Sequence, residues 1–419
     1  MRCVTVLNAR MFHYRLSRFQ QPVQVQHWID LLTSMTASLR WAFGSFFFLY
    51  FAYVGLVSPY ASLFFLDRGF SVIEIAVLMS MLQITRIIGP FSWGWLSDFL
   101  SNRVGIIRFC ACLASIVFLA IYFLHSYLSF FIWMFVLHTI LSSLMPLGES
   151  ATVHALFKDN SFDKRYGRLR LWGSIGFIFM VLAAGELFQR KSIELYPVIG
   201  TIVLLALALV TFLLHEPKME RRVMVKGEFW GVLKNPDVRW FLISGFFMVF
   251  AHAALYVFYS LYLANLGYNK FQIGLFWALG VFAEVIFFYF QSKVLSRLDP
   301  EVVLQGAFGV GVVRFILIAF LPITSVLIFA QVLHAGTFAA HHSAATKLLQ
   351  RWFTGPLQAR GQALMATVSY GLGGTIGGLC AGWIWDLSQP RDVFVMSAFA
   401  CGLAGMAIQK LKPRHHQKS

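Results

Sequence analysis

The sequence predicts an all-α membrane protein: twelve transmembrane helices arranged as two pseudo-symmetric six-helix bundles. Three observations carry this expectation. Hydrophobic residues fill 58% of the 419 positions and charged residues only 12%, far from the usage of soluble domains. From about Trp41 onward, apolar stretches follow one another, each near the ~20 residues that cross a bilayer. Segments of the first half also recur in the second.

The stretches fall near 42–65, 72–96, 104–124, 128–157, 166–189, 194–214, 238–264, 271–295, 302–321, 323–349, 357–384 and 392–410. Arg40 and Arg68 bracket the first, Arg103 follows the second, and Lys158, Lys164, Arg165 and Arg168 separate the fourth from the fifth. The expected organisation is an N-terminal cytoplasmic segment (1–40), a first bundle (41–214), a cytoplasmic central loop (215–236), a second bundle (237–411) and a cytoplasmic tail (412–419). Met35 stands just before the first span and is a candidate start site, which peptide mapping of the native N-terminus would decide.

The net charge of +16 is a topology signal. Lys and Arg cluster in alternate connections: the N-terminal tail, the central loop with Lys218, Arg221, Arg222, Lys226 and Lys234, then Lys293 and Arg297, Lys347, Arg351 and Arg360, and the C-terminal tail. The positive-inside rule then puts both termini and the central loop in the cytoplasm of a multi-pass protein of the inner (plasma) membrane. Nucleic acid is not an expected partner, because no folded module presents the basic runs. Cys110, Cys112, Cys380 and Cys401 lie inside apolar spans without metal-ligand spacing. His341 and His342 are adjacent and so point to different helix faces; no metal is expected. The first forty residues show no cleavable signal. No nucleophile–base set lies at membrane depth, which argues against an enzyme.

The repeat appears at three places. Arg68-Gly69-Phe70, Glu74 and Arg86 parallel Leu266-Gly267-Tyr268, Gln272 and Glu284. Val136-Leu137-His138 recurs as Val332-Leu333-His334, and Gly105-Ile106-Ile107-Arg108-Phe109 as Gly311-Val312-Val313-Arg314-Phe315. Duplicated six-span halves with a cavity between them are a transporter architecture, and no filter-like loop suggests a channel.

Ionisable groups in mid-span are costly, about 2.5–3.5 kcal/mol each on insertion scales. Arg86, Glu149, Arg170, Glu284 and Arg314 therefore invite a functional reading, with His252 and His334 beside them; the bland reading of each is an ion pair or a snorkelling side chain. For Arg108, near Arg103, snorkelling is the expectation. Arg86, Glu284 and Arg314 lie too deep to snorkel easily. Arg86, Arg170 and Arg314 outnumber Glu149 and Glu284 by one cation, which suits an anionic ligand. Aromatic residues reach 17%, with 44 Phe; that is compatible with ring stacking, though most of them are expected to face lipid. Gly371, Gly373, Gly374, Gly377 and Gly378 serve either helix sliding or static packing.

Gly94-Trp95-Leu96-Ser97-Asp98 followed by Asn102-Arg103 resembles the cytoplasmic signature of the major facilitator superfamily. Phe99 stands where a basic residue usually follows. The resemblance implies a gating role for Gly94, Asp98 and Arg103. Tyr166-Gly167-Arg168-Leu169-Arg170-Leu171-Trp172-Gly173 looks like the fifth-span motif of the lactose permease-type oligosaccharide:proton symporters. Pro146 followed by Glu149 matches their fourth span. That resemblance maps Glu284, Arg314 and His334 onto the proton-coupling groups; Thr337 replaces the family's acid and Gln331 its lysine. A nearer resemblance, over most of residues 40–410, is to the 3-phenylpropionate permease family. It rests on Pro146-Leu147, Arg170-Leu171-Trp172-Gly173-Ser174, Ala251-His252-Ala253-Ala254, Ala283-Glu284-Val285-Ile286 and Leu333-His334-Ala335-Gly336-Thr337-Phe338.

These resemblances imply a symporter, driven by the proton gradient without a cofactor, that imports a small aromatic carboxylate as a monomer. Substrate is expected at Glu149, Arg170, Arg86, Trp172 and His252, and the proton at Glu284, tuned by Arg314 and His334. The competing expectations are symport of a neutral sugar or nucleoside, and a sensor that kept the fold without transport.

Overall fold

Helices make up nearly all of residues 22–156, 162–215, 228–354 and 357–411, the part of the chain that the computed structural model describes. The basic residues expected at 1–21, at Lys158, through 216–227 and in 412–419 lie outside it. Among the described residues, ten helices are long and apolar enough to cross a membrane. They form spans one to nine and span eleven: Ser38–Asp67, Val72–Ser97, Arg103–Phe123, Tyr127–Val153, Leu169–Arg190, Ile193–Thr211, Pro236–Asn265, Lys270–Leu295, Pro300–Phe320 and Arg360–Leu387. The first belongs to a longer helix, Pro22–Asp67, so helix begins well before the expected 42. Span ten runs through three consecutive segments, Thr324–His334, Ala335–Ala340 and His341–Trp352. Span twelve is the shorter Asp392–Ile408.

The repeat has a local physical basis. Gly69 and Gly267 both end a first span in the left-handed region, at φ 83° and 87°, where a Cβ would be strained. Two residues later a capping box opens the next span, Ser71 with Glu74 and Asn269 with Gln272. Each box satisfies two orphan N–H groups reciprocally. Equivalent sequence strings therefore build equivalent hairpins.

Three spans are irregular where the polar groups sit. Span four breaks at Ser142–Ser143 into Tyr127–Leu141 and Leu144–Leu156. Pro146 has no N–H to give the carbonyl four residues back. Ala335–Ala340 in span ten and Ala366–Gly373 in span eleven are π-helical, which rotates the following residues relative to a regular helix.

The two halves meet at one face of the molecule and part at the other. The closed face carries the short connections between spans one and two, five and six, seven and eight, and eleven and twelve. Span eleven uses its glycines there in two stripes. A Cβ at Gly371, Gly374, Gly378 or Gly382 would meet Ile87, Gln83, Ser80 or Ala76 of span two across the halves. Gly373 and Gly377 instead lie against the carbonyls of Phe246 and Phe250 in span seven. Tyr60, fully buried, donates to the carbonyls of Val181 at 2.6 Å and Lys270 at 3.3 Å. Gly185 and Gly274 leave room for that hydroxyl, since a Cβ on either would lie within 2.5 Å of it.

Gly94 continues the span-two stripe of Ala76, Ser80, Gln83 and Ile87, yet an added Cβ there would meet nothing within 4 Å. Spans two and eleven have therefore separated by that level, and the chamber opens toward the face where span two ends and span three begins. Gly378→Val would place branched carbon where a Cβ already lies 2.6 Å from Ser80 Oγ. It should wedge the closed face apart. A cysteine replacing the buried Val181 is then expected to react several-fold faster with a water-soluble maleimide; unchanged labelling would show that the stripe is static packing.

Candidate substrate and proton site

The deep ionisable groups converge on one level of the chamber. Arg170 in span five faces Glu149 in span four, Nε to Oε1 4.0 Å, both half-exposed. The break before Pro146 sets the register that presents Glu149. Arg170 also sits over the Phe51 ring of span one at 4.2 Å, a cation–π contact that orients the guanidinium. Arg86 of span two lies over the Tyr370 ring of span eleven at 5.5 Å. Tyr370 is in electrostatic range of Arg86, Glu284 and Arg170, and Tyr50 of Arg86, Glu149 and Arg170. Both halves thus contribute to one charged cluster.

Glu284 is tied into a buried relay. Arg314, fully buried, donates from Nη1 to His334 Nδ1 at 2.9 Å and from Nε to the Ala330 carbonyl at 2.8 Å. Thr337 and Gln331 accept two further guanidinium N–H bonds, at 3.2 and 3.4 Å. An arginine only donates, so His334 Nδ1 is a lone pair and the ring is neutral. Its proton sits on Nε2, which donates to Glu284 Oε1 at 2.7 Å. That contact is a hydrogen bond from a neutral donor, and the second carboxyl oxygen remains for a proton. Among the described residues no carboxylate pairs with Arg314. Thr337 and Gln331, which replace an acid and a lysine in the resembling symporters, here serve as its acceptors.

Several expected residues lie elsewhere. Trp172 stands two positions past Arg170, which on a helix points away from it. It packs on Trp41, ring centroids 5.6 Å apart, and against Gly44 of span one. His252 is buried behind the relay, Nδ1 on the Met248 carbonyl at 2.9 Å and Nε2 3.2 Å from Thr337 Oγ1. It braces Thr337 and faces no chamber surface in this conformation. Arg108 reaches the end of span six. It donates to the carbonyls of Thr211 and Leu214 at 3.1 and 2.6 Å, where the end of span six leaves acceptors unpaired. Gly94 faces open space, Arg103 opens span three beside the Asn102 cap, and the Asp98 side chain lies outside the described residues. His341 is buried against Phe308, whereas His342 is exposed and in electrostatic range of Glu284 and Arg170.

Sequence reasoning missed the tyrosines. Tyr50, Tyr256 and Tyr370 are half-buried among the charges, and Tyr256 stacks on Trp277 at 6.4 Å.

Comparison with known proteins agrees with this architecture. A sequence model of the MFS_1 like family matches residues 40–396. A protein of Escherichia coli (strain K12) named "Probable 3-phenylpropionic acid transporter" is 27% identical over 371 residues, covering 87% of this chain and 95% of that one. The maltose permease of Geobacillus stearothermophilus is 23% identical, covering 89% and 96%. The crystal structure of the nucleoside transporter NupG superposes with a TM-score of 0.78 at 17% identity, over 89% of this chain and 100% of that one. That likeness shows the shared fold. The chain belongs to the MFS_1 like family and is a multi-pass secondary transporter of the major facilitator superfamily, not an enzyme.

Proposed function

We propose that this transporter imports a small aromatic carboxylate together with a proton, by alternating access. Arg86 carries the reading. It is a guanidinium at mid-membrane depth, and among the described residues it has neither an ion pair nor a hydrogen bond, only the Tyr370 ring. Such a cation is unfavourable unless an anion joins it. The half-buried rings of Tyr50, Tyr256 and Tyr370, in electrostatic range of it, suit an aromatic body. The phenylpropionic acid named for the Escherichia coli relative has both features.

Charge balance supplies the coupling. Protonating Glu284 alone raises the chamber's charge by one, and binding a carboxylate alone lowers it by one. Both together leave it as in the empty protein. A closed, low-dielectric chamber therefore passes the empty and doubly loaded forms and disfavours the singly loaded ones. Arg170, held by Phe51 and Glu149, and Arg86 would take the carboxylate. With the Lys- and Arg-rich face assigned to the cytoplasm, the conformation described is inward-open.

Proteoliposomes with an imposed gradient test the proposal. An acidic exterior is expected to drive accumulation of labelled 3-phenylpropionate, up to about tenfold per pH unit for one proton each, since about 1.4 kcal/mol corresponds to a factor of ten. A sodium gradient alone should drive none. Sugars and nucleosides should not compete; competition by them, with no arylcarboxylate uptake, would overturn the proposal in favour of a neutral substrate.

A further inference from the structure

Span four carries a buried histidine that the site does not use. His138 is 7% exposed, and its Nδ1 lies 3.0 Å from the Met134 carbonyl. A carbonyl only accepts, so Nδ1 holds the proton and Nε2 of the neutral ring is a lone pair. Nε2 is buried with no partner. A buried acceptor without a donor is unfavourable, so a donor that reaches it in another conformation would stabilise that conformation.

The fold places a guanidinium at its level, in addition to the Tyr53 ring, whose centroid lies 6.4 Å from that of His138. Spans two and four run in the same direction and cross at Gly89, where an added Cβ would lie 1.8 Å from Ser142 Oγ and 3.6 Å from the Thr139 carbonyl. One turn back along each span are Arg86 and His138, and they are in electrostatic range of one another. The repeat makes the same pairing. Glu284 and His334 occupy these two positions in the second half and touch directly at 2.7 Å. Each tautomer suits its counterpart: His334 presents Nε2–H to a carboxylate, and His138 presents an Nε2 lone pair to a guanidinium. In the conformation described, Arg86 reaches across to Tyr370 instead. That contact adjoins the packing of Ile87 on Gly371, part of the closure that must separate when the other face opens.

We propose that His138 is a positioning residue for Arg86, its Nε2 accepting a guanidinium N–H once spans two and eleven part. Arg86 then exchanges Tyr370 for His138 as the halves move, and stays in the chamber where an incoming carboxylate needs it. The role assigned to the carboxylate rests on the proposed function; the exchange of partners does not.

The test combines a distance with transport. Spin labels on Lys191→Cys and Asn265→Cys, with native cysteines replaced, report separation of spans five and seven at the closed face. His138→Leu is expected to reduce the long-distance population at least threefold. His138→Gln, which offers an amide oxygen as acceptor, should restore it. In an Arg86→Ala background, His138→Leu should change nothing further. An equal shift in that background, no shift at all, or a Gln variant as impaired as Leu would overturn the proposal. For 3-phenylpropionate, His138→Leu should raise KM several-fold with Vmax within about twofold. If the wild type takes up no arylcarboxylate, the anionic-substrate reading falls, while the distances still decide the role of His138.

Discussion

Glu284→Gln is expected to abolish pH-driven accumulation while leaving exchange of internal for external substrate intact. Glutamine keeps the size of the side chain and can still accept from His334 Nε2–H, but it holds the charge of the protonated acid permanently. Substrate-loaded protein then has the balanced charge of the doubly loaded form and can cross. The empty protein carries one extra positive charge and returns poorly. Net uptake falls to the level of protein-free vesicles, the accumulation ratio falls to one, and counterflow persists. Accumulation against a gradient by this variant would reject Glu284 as the proton site.

Arg170→Ala should be the most damaging change to substrate binding. Arg170 stands between Glu149 and Phe51, so its fork is already oriented toward the chamber. A hydrogen bond to a charged group contributes about 1.5–3 kcal/mol, and its loss corresponds to roughly a 10- to 100-fold weaker Kd. Removing Arg170 also takes one cation away from the side of Glu149, whose carboxylate repels an anion, which places the effect at the upper end. Arg170→Lys restores charge without the planar fork and should recover only part. The protein should stay folded, because Arg170 is half-exposed in the chamber, away from the Tyr60 closure. Size-exclusion profiles and direct binding measurements separate these outcomes. Unaltered affinity in Arg170→Ala would remove this residue from the substrate site.

Much of the architecture was legible because membrane insertion imposes one-dimensional rules. Apolar length gave the spans, and the Gly69 and Gly267 strings gave the duplicated hairpins whose caps the structure displays. Pro146 with Glu149 and the position of Arg170 were readable because a proline break and a mid-span arginine are rare events in an apolar background. Glu284, His334 and Arg314 come together as the resemblance implied, three spans converging on one relay. The direction of a side chain within a motif was not legible. Trp172 belongs to the same string as Arg170 but faces span one, and His252 lies a layer too deep. Arg108 finds the end of span six, a tertiary partner no local pattern announces. The π-helical segments are invisible to periodicity over so few residues, and Tyr50, Tyr256 and Tyr370 were hidden among 17% aromatic residues. The tautomer of His334 follows only from seeing which of its nitrogens faces an arginine.

The Arg86 guanidinium makes a demand that one pair of ligands can examine. Calorimetric titration of purified protein with 3-phenylpropionate and with 3-phenylpropanamide, its uncharged counterpart of nearly equal shape, compares charge at constant ring and length. The acid is expected to bind at least tenfold more tightly than the amide, and Arg86→Ala should erase most of that difference. Equal affinities for the two ligands, or a preference for the acid undiminished in Arg86→Ala, would contradict the account.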